Sequence, residues 1–147
     1  MQASGRAPGR IAALDLGEVR TGVAISDPGA KIARPLEVVP SDDLAAYLDN
    51  MVREGVEEVV VGVPKTLGGE VGFQARRSLD TISTLREEFP AVRFVEWDER
   101  FTTRIVASEA TRKKGRRKKG AKARWDHLAA ARMLQEYLDA RGTVEGA

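Results

Sequence analysis

The chain has 147 residues, the length of one domain, and a domain of that size buries roughly 70% of the surface its unfolded chain exposes. Zero cysteines exclude a disulfide framework and thiolate metal sites, and a single histidine excludes a histidine-rich zinc centre, so any metal is expected on carboxylates. The net charge of +2 conceals a split: nine Lys/Arg and no acid lie between Arg112 and Arg124, and removing these from the 24 basic residues leaves 15 against 22 acidic. No stretch approaches 18 uninterrupted apolar residues, and MQASGRAPGR is followed by no apolar leader core, which predicts a soluble, cytoplasmic protein that does not enter a membrane.

Residues 1–9 and 142–147 carry Gly, Pro or Ser without periodicity and read as disordered tails of a single domain. Ile11–Leu16 and Thr21–Ser26 are two short apolar runs too close together for a crossover, so they form a hairpin. Pro35–Val39 is a third strand. Ser41 then reads as a helix N-cap, with Asp42 and Asp43 in a first turn that favours negative charge. Leu44, Tyr47, Leu48, Met51 and Val52 follow at helical spacing up to Gly55. Val59–Val63 is apolar throughout, as in a strand buried on both faces. Ala75, Leu79, Ile82 and Leu85 mark a helix over about 72–88, and Arg93–Trp97 is the fifth strand. Helical pattern resumes over Thr102–Lys113, gives way to a basic loop, and returns over Ala123–Ala140. A hairpin meander followed by alternating strand and helix predicts an α/β domain with a five-stranded mixed sheet flanked by helices.

Asp15 lies inside a run that otherwise reads as buried strand, and a buried carboxylate costs several kcal/mol unless a cation or hydrogen bonds compensate. Either a cation sits opposite it or turn amides between Gly17 and Gly22 bind it. Asp98 and Glu99 follow the fifth strand, at the carboxyl end of the sheet where α/β sites are found, though acids there also start helices. Asp126 opens the last helix. Three such acids without soft ligands form an oxygen-only set suited to Mg²⁺ or Mn²⁺, which can stabilise an in-line phosphoryl displacement. His127 and Trp125 beside them read as packing residues before ligand or base-stacking residues.

The cationic segment supplies the matching substrate. Lys113, Lys114, Arg116, Arg117, Lys118, Lys119 and Lys122 repel one another unless a polyanion compensates, and they read as a phosphate-tracking arm. The bland alternative is a solvated loop. Arg20 and Arg100, close in sequence to Asp15 and Glu99, would hold the phosphate being cut. The expected partner is nucleic acid; RNA and branched DNA are not distinguished, because phosphate contacts carry no base code. A monomer and a homodimer are both compatible with the sequence.

Four stretches together resemble a known family: Asp15-Leu-Gly-Glu-Val-Arg-Thr-Gly22, Val61-Gly-Val-Pro64 with Gly68-Gly69, Asp98-Glu-Arg-Phe-Thr-Thr103, and Lys122–Asp126 leading into Ala129–Leu138. They look like the YqgF/RuvX family, small bacterial proteins with an RNase H-like fold related to the RuvC resolvase, and the resemblance spans about 10–141. It implies a metal-dependent nuclease with catalytic, metal-binding carboxylates at Asp15, Glu99 and Asp126. The reactions it implies are processing of the 5′ end of pre-16S rRNA in ribosome biogenesis or cleavage of Holliday junctions in recombination. The chain departs from the RuvC-like pattern at Ala123, where a fourth carboxylate is usual, so the resemblance leaves one and two metal ions open.

Two other classes share parts of this pattern. Asp-x-Gly before a hairpin also occurs in actin-like kinases and ATPases, but those close two such domains over a nucleotide. A non-catalytic RNA-binding assembly factor on the same fold would need the basic arm and not the carboxylates.

Overall fold

The computed structural model describes residues 9–64, 72–98 and 119–146, and in the last of these the side chains of 127–141. Its strands are β1 (Arg10–Asp15), β2 (Arg20–Ser26), β3 (Ala33–Pro40), β4 (Val56–Val63) and β5 (Arg93–Asp98). A single 3₁₀ turn, Ser41–Asp43, leads into α1 (Leu44–Arg53); α2 is Phe73–Glu88 and α3 is Lys119–Gly146. The strand order is β3-β2-β1-β4-β5, with β1 antiparallel to β2, β2 antiparallel to β3, and β1, β4 and β5 parallel. The five-stranded mixed sheet expected from the hairpin and the strand-helix alternation is therefore the observed one. Pro35 and Pro40 are accommodated because β3 is an edge strand, where a missing N–H leaves no ladder bond unmade.

Alternation along the strands divides the core into two layers. Ala12, Leu14, Val59, Val61, Val63 and Phe94 pack under α1 and α2, against Leu48, Met51, Ile82 and Leu85. Ile11, Ala13, Ala24 and Val60 pack under α3, against Ala130, Met133, Leu134 and Leu138. Each fully buried Leu or Val contributes roughly 1.5–3 kcal/mol relative to exposure. The central strand β1 is buried on both faces and holds both layers together.

Several element boundaries differ from the sequence expectation, β3 for example spanning Ala33–Pro40 and not Pro35–Val39. Strand β4 starts at Val56, not Val59, because β1 supplies ladder partners for Val56 and Glu58 despite the two acids. Helix α3 begins at Lys119 and not at Ala123, so Lys119 and Lys122 are helical and not part of a loop. It also runs through the expected tail to Gly146, since extending an existing helix needs no new nucleus and one glycine costs only about 1 kcal/mol. The helix expected over Thr102–Lys113 lies outside the described residues.

Candidate functional site

The carboxyl ends of β1, β4 and β5 finish at one level: Leu14 is paired with Val61, and Val63 with Asp98. Asp15 is the last residue of β1, half-buried and opposite Gly22 of β2. It follows Ile11 and Ala13 in strand alternation and so belongs to the sheet face that α3 covers. Trp97 of β5 packs on that same face. Asp98 belongs to the other one, with Phe94 and with Glu96, whose carboxylate lies 3.6 Å from Arg86 of α2. Glu99 and Arg100 lie outside the described residues.

Helix α3 is held at its lower half. Gln135 Oε1 accepts the Ala33 N–H at 2.8 Å, and its Nε2 donates to the Lys31 carbonyl at 3.0 Å, pinning the helix beside the end of β2, where Ser26 pairs with Ala33. From Gln135 back to Asp126 is nine residues of helix, about 13 Å of rise. From Ser26 back to Gly22 is four residues of strand, also about 13 Å. The Asp126 backbone thus stands near the level of Gly22 and of its partner Asp15. Asp126 also precedes the buried Ala130 by four residues, about one helical turn. One position on, the buried His127 Nδ1 has no hydrogen-bond partner.

The turn between β1 and β2 is tightly organised. A Cβ on Gly17 would meet the Arg20 carbonyl oxygen at 2.2 Å, so only glycine lets the chain double back there. Ser41, expected as an N-cap, makes no side-chain cap. Instead its N–H donates to the Val19 carbonyl at 2.8 Å and its hydroxyl donates to the Gly17 carbonyl at 2.7 Å. The buried Thr21 hydroxyl, 2.9 Å from Ser41 Oγ, is left to donate to it, because the serine proton is already committed. The N-cap expectation fails because β3 delivers Ser41 against the hairpin turn, a long-range contact that local spacing does not encode. On the α2 side, Glu18 pairs with Arg77 at 3.2 Å, both largely exposed.

Of the expected carboxylates, Asp15 alone has a described side chain, and among the described residues no group of three His, Cys, Asp or Glu is placed to hold a metal ion. Arg20 is exposed at the start of β2. Lys119 and Lys122 lie on the first turns of α3, ahead of Asp126, whereas Lys113, Lys114, Arg116, Arg117 and Lys118 lie outside the described residues. The sequence reading missed Ser41 as a turn anchor and Gln135 as the residue that sets the height of α3. A glutamine on the α3 face that borders the buried stripe was the only available signal for the second; the first had none.

A family model described as "RuvX: Holliday junction resolvase" matches residues 9–140. A protein of Rubrobacter xylanophilus named "Putative pre-16S rRNA nuclease" is 62% identical over 135 residues, covering 91% of this chain and 95% of its own. One from Nocardia farcinica with the same name is 38% identical, covering 92% and 81%. Among solved structures, Thermus thermophilus RuvC in complex with a Holliday junction substrate superposes with a TM-score of 0.54 at 20% identity, over 90% of this chain and 95% of that one. At that identity the likeness is one of fold, the RNase H-like arrangement of sheet and helices.

Proposed function

Because the chain belongs to the RuvX family, described as Holliday junction resolvases, we propose that it is a metal-dependent nuclease that hydrolyses phosphodiester bonds in the cytoplasm. Its substrate in this reading is the 5′ end of pre-16S rRNA, the activity named for the relatives at 62% and 38% identity. A branched DNA junction is the second reading, favoured by the family's description. The observation that carries the nuclease reading is Asp15 at the carboxyl end of the central strand, on the face that α3 crosses with Asp126 at about the same height.

Asp15, Glu99 and Asp126 are the residues that would hold Mg²⁺ or Mn²⁺. The donor set fits a hard cation, since all three are carboxylates and the chain has no thiolate to offer. Bound there, the cation supplies Lewis-acid stabilisation to the phosphoryl oxygens. The choice of Glu99 over Asp98 is supported by alternation: Asp98 belongs to the face opposite Asp15, and its successor in an extended chain returns to the Asp15 face. Arg20 and Arg100 bind the phosphate being cut, while the basic residues from Lys113 to Lys122 bind phosphates further along the strand. Their placement just ahead of Asp126 brings the polyanion to the carboxylates despite the negative charge of the rest of the chain.

Cleavage of a pre-rRNA 5′ end and of a four-way DNA junction, side by side with Mg²⁺, with Mn²⁺ and with EDTA, tests the proposal. Metal-dependent cutting of the RNA is expected. Cutting of the junction alone moves the substrate to DNA, and binding without cutting under every condition leaves an assembly factor.

A further inference from the structure

The turn between β1 and β2 combines an exposed tip with a held backbone. Its tip is exposed, with Val19 at 73% of its free surface and Arg20 open to solvent beside it. Its backbone is nonetheless held: the carbonyls of Gly17 and Val19 are both taken by Ser41, and a Cβ at Gly17 would meet the Arg20 carbonyl oxygen at 2.2 Å. An exposed valine gains nothing for the fold, and a free turn of this length would sample many conformations at a cost of roughly 1–2 kcal/mol per residue to fix. The serine that could have capped the following helix is used to hold the turn instead.

We propose that Ser41 is a positioning residue, clamping the β1–β2 turn so that Val19 and Arg20 form a rigid contact for the sugar-phosphate unit beside the bond cut at Asp15. The proposal rests on the nuclease reading above and adds to it the surface that aligns the strand. Arg20 takes the phosphate, and the Val19 methyls pack on the adjoining ribose or deoxyribose, an apolar contact that does not read the base. Asp15 and the tip lie on the same hairpin, four and five residues apart, so an error in the turn becomes an error in the alignment of the strand over the carboxylate. Ser41 touches no substrate and acts only through the two carbonyls. Misplacement of reacting groups by about 1 Å can cost 100-fold in rate, so removal of one hydroxyl is a sufficient lever.

The experiment compares Ser41→Ala, Ser41→Thr and Val19→Ser with the full-length wild type. Ser41→Ala should raise amide exchange at Ser41, whose N–H bonds to Val19, and increase backbone motion over Gly17–Arg20, with the core still folded. It should lower kcat/KM about tenfold, the equivalent of one hydrogen bond's net free energy, and Ser41→Thr should restore both. Val19→Ser, at an exposed position, should leave the melting temperature unchanged and raise KM. Its effect should shrink in the Ser41→Ala background, because a mobile tip already packs poorly on the sugar. Unchanged turn motion in Ser41→Ala, or a looser turn with unchanged kcat/KM, overturns the proposal. A wild type that binds neither RNA nor junction overturns the nuclease reading and the positioning role with it, an outcome distinguishable because exchange is measured on the free protein.

Discussion

The two ends of the sheet differ in how their polar side chains are used. Toward the amino end of the parallel strands, polar groups are matched to one another: the Tyr137 hydroxyl donates to Glu58, and Arg141 lies over the Tyr137 ring at 6.0 Å. At the carboxyl end stand Asp15, an exposed Val19 and Arg20, and the first turns of α3 with their lysines. One helix serves both ends. Its lower half is fastened by Leu134, Gln135 and Leu138, and that fastening sets the height at which Asp126 stands above. The site can therefore be damaged while the anchor stays intact, whereas damage to the anchor reaches the site through α3.

Asp15→Asn is the sharpest way to break the carboxyl end alone. Cleavage should fall by more than about 100-fold, beyond what supporting partners of a metal ligand usually cost. The melting temperature should stay the same or rise, because a half-buried charge has been removed. Substantial residual cleavage would move the site away from β1. Glu99→Gln should cost far more activity than Asp98→Asn, and the reverse ranking would place the ligand on the other sheet face.

Leu134→Ala attacks the anchor. A fully buried leucine truncated in a packed layer costs about 2–5 kcal/mol, read by denaturant unfolding, and activity per folded molecule should fall as well if α3 carries Asp126. Gly17→Ala lies between the two cases. With backbone at 2.2 Å from the new Cβ the turn must shift, at about 1–3 kcal/mol, and cleavage should suffer more than stability.

Replacing Arg116, Arg117, Lys118 and Lys119 by Ala should weaken binding to all sequences alike. It should also flatten the salt dependence, by about 0.7–0.9 in log-log slope for each phosphate no longer neutralised. Fluorescence anisotropy at several salt concentrations reads this, and turnover at saturating substrate should survive better than affinity. An unchanged slope would make the segment a solvated loop.

The smallest effect belongs to the amino end. Burial, then the hydrogen bond to Glu58, pushes the Tyr137 hydroxyl up to about 12 from its ordinary 10. The folded state therefore favours the neutral phenol, so its contribution to stability is complete below pH 10 and lost as pH rises toward 12. Tyr137→Phe should cost about 1 kcal/mol at neutral pH and make the alkaline loss of stability shallower. Tyr47, raised in the same direction by burial and by Glu37, contributes to the alkaline loss that remains. Nuclease activity should be unchanged at neutral pH, which separates this end from the other.

The strands, the hairpin and the mixed sheet were all legible in the amino-acid order, and Asp15 stood out there as a candidate, because each follows from local signals. Period-2 and period-3.6 patterns mark buried faces, a connection of a few residues permits only an antiparallel pair, and an acid in an apolar run stands out. Tertiary packing settled that Asp15 and Asp98 lie on opposite faces of the sheet. Asp98 is assigned to the α2 face only through the register of β5 on β4 and the Glu96–Arg86 pair. Packing also set the height of α3, through Gln135 meeting residues about a hundred positions away, and the use of Ser41, whose hydroxyl reaches Gly17 across 24 positions. Such contacts are invisible to spacing because side-chain hydrogen bonds carry no periodicity. A serine before a helix is equally able to cap it or to bind whatever backbone the fold brings within reach, and only the packed chain determines which.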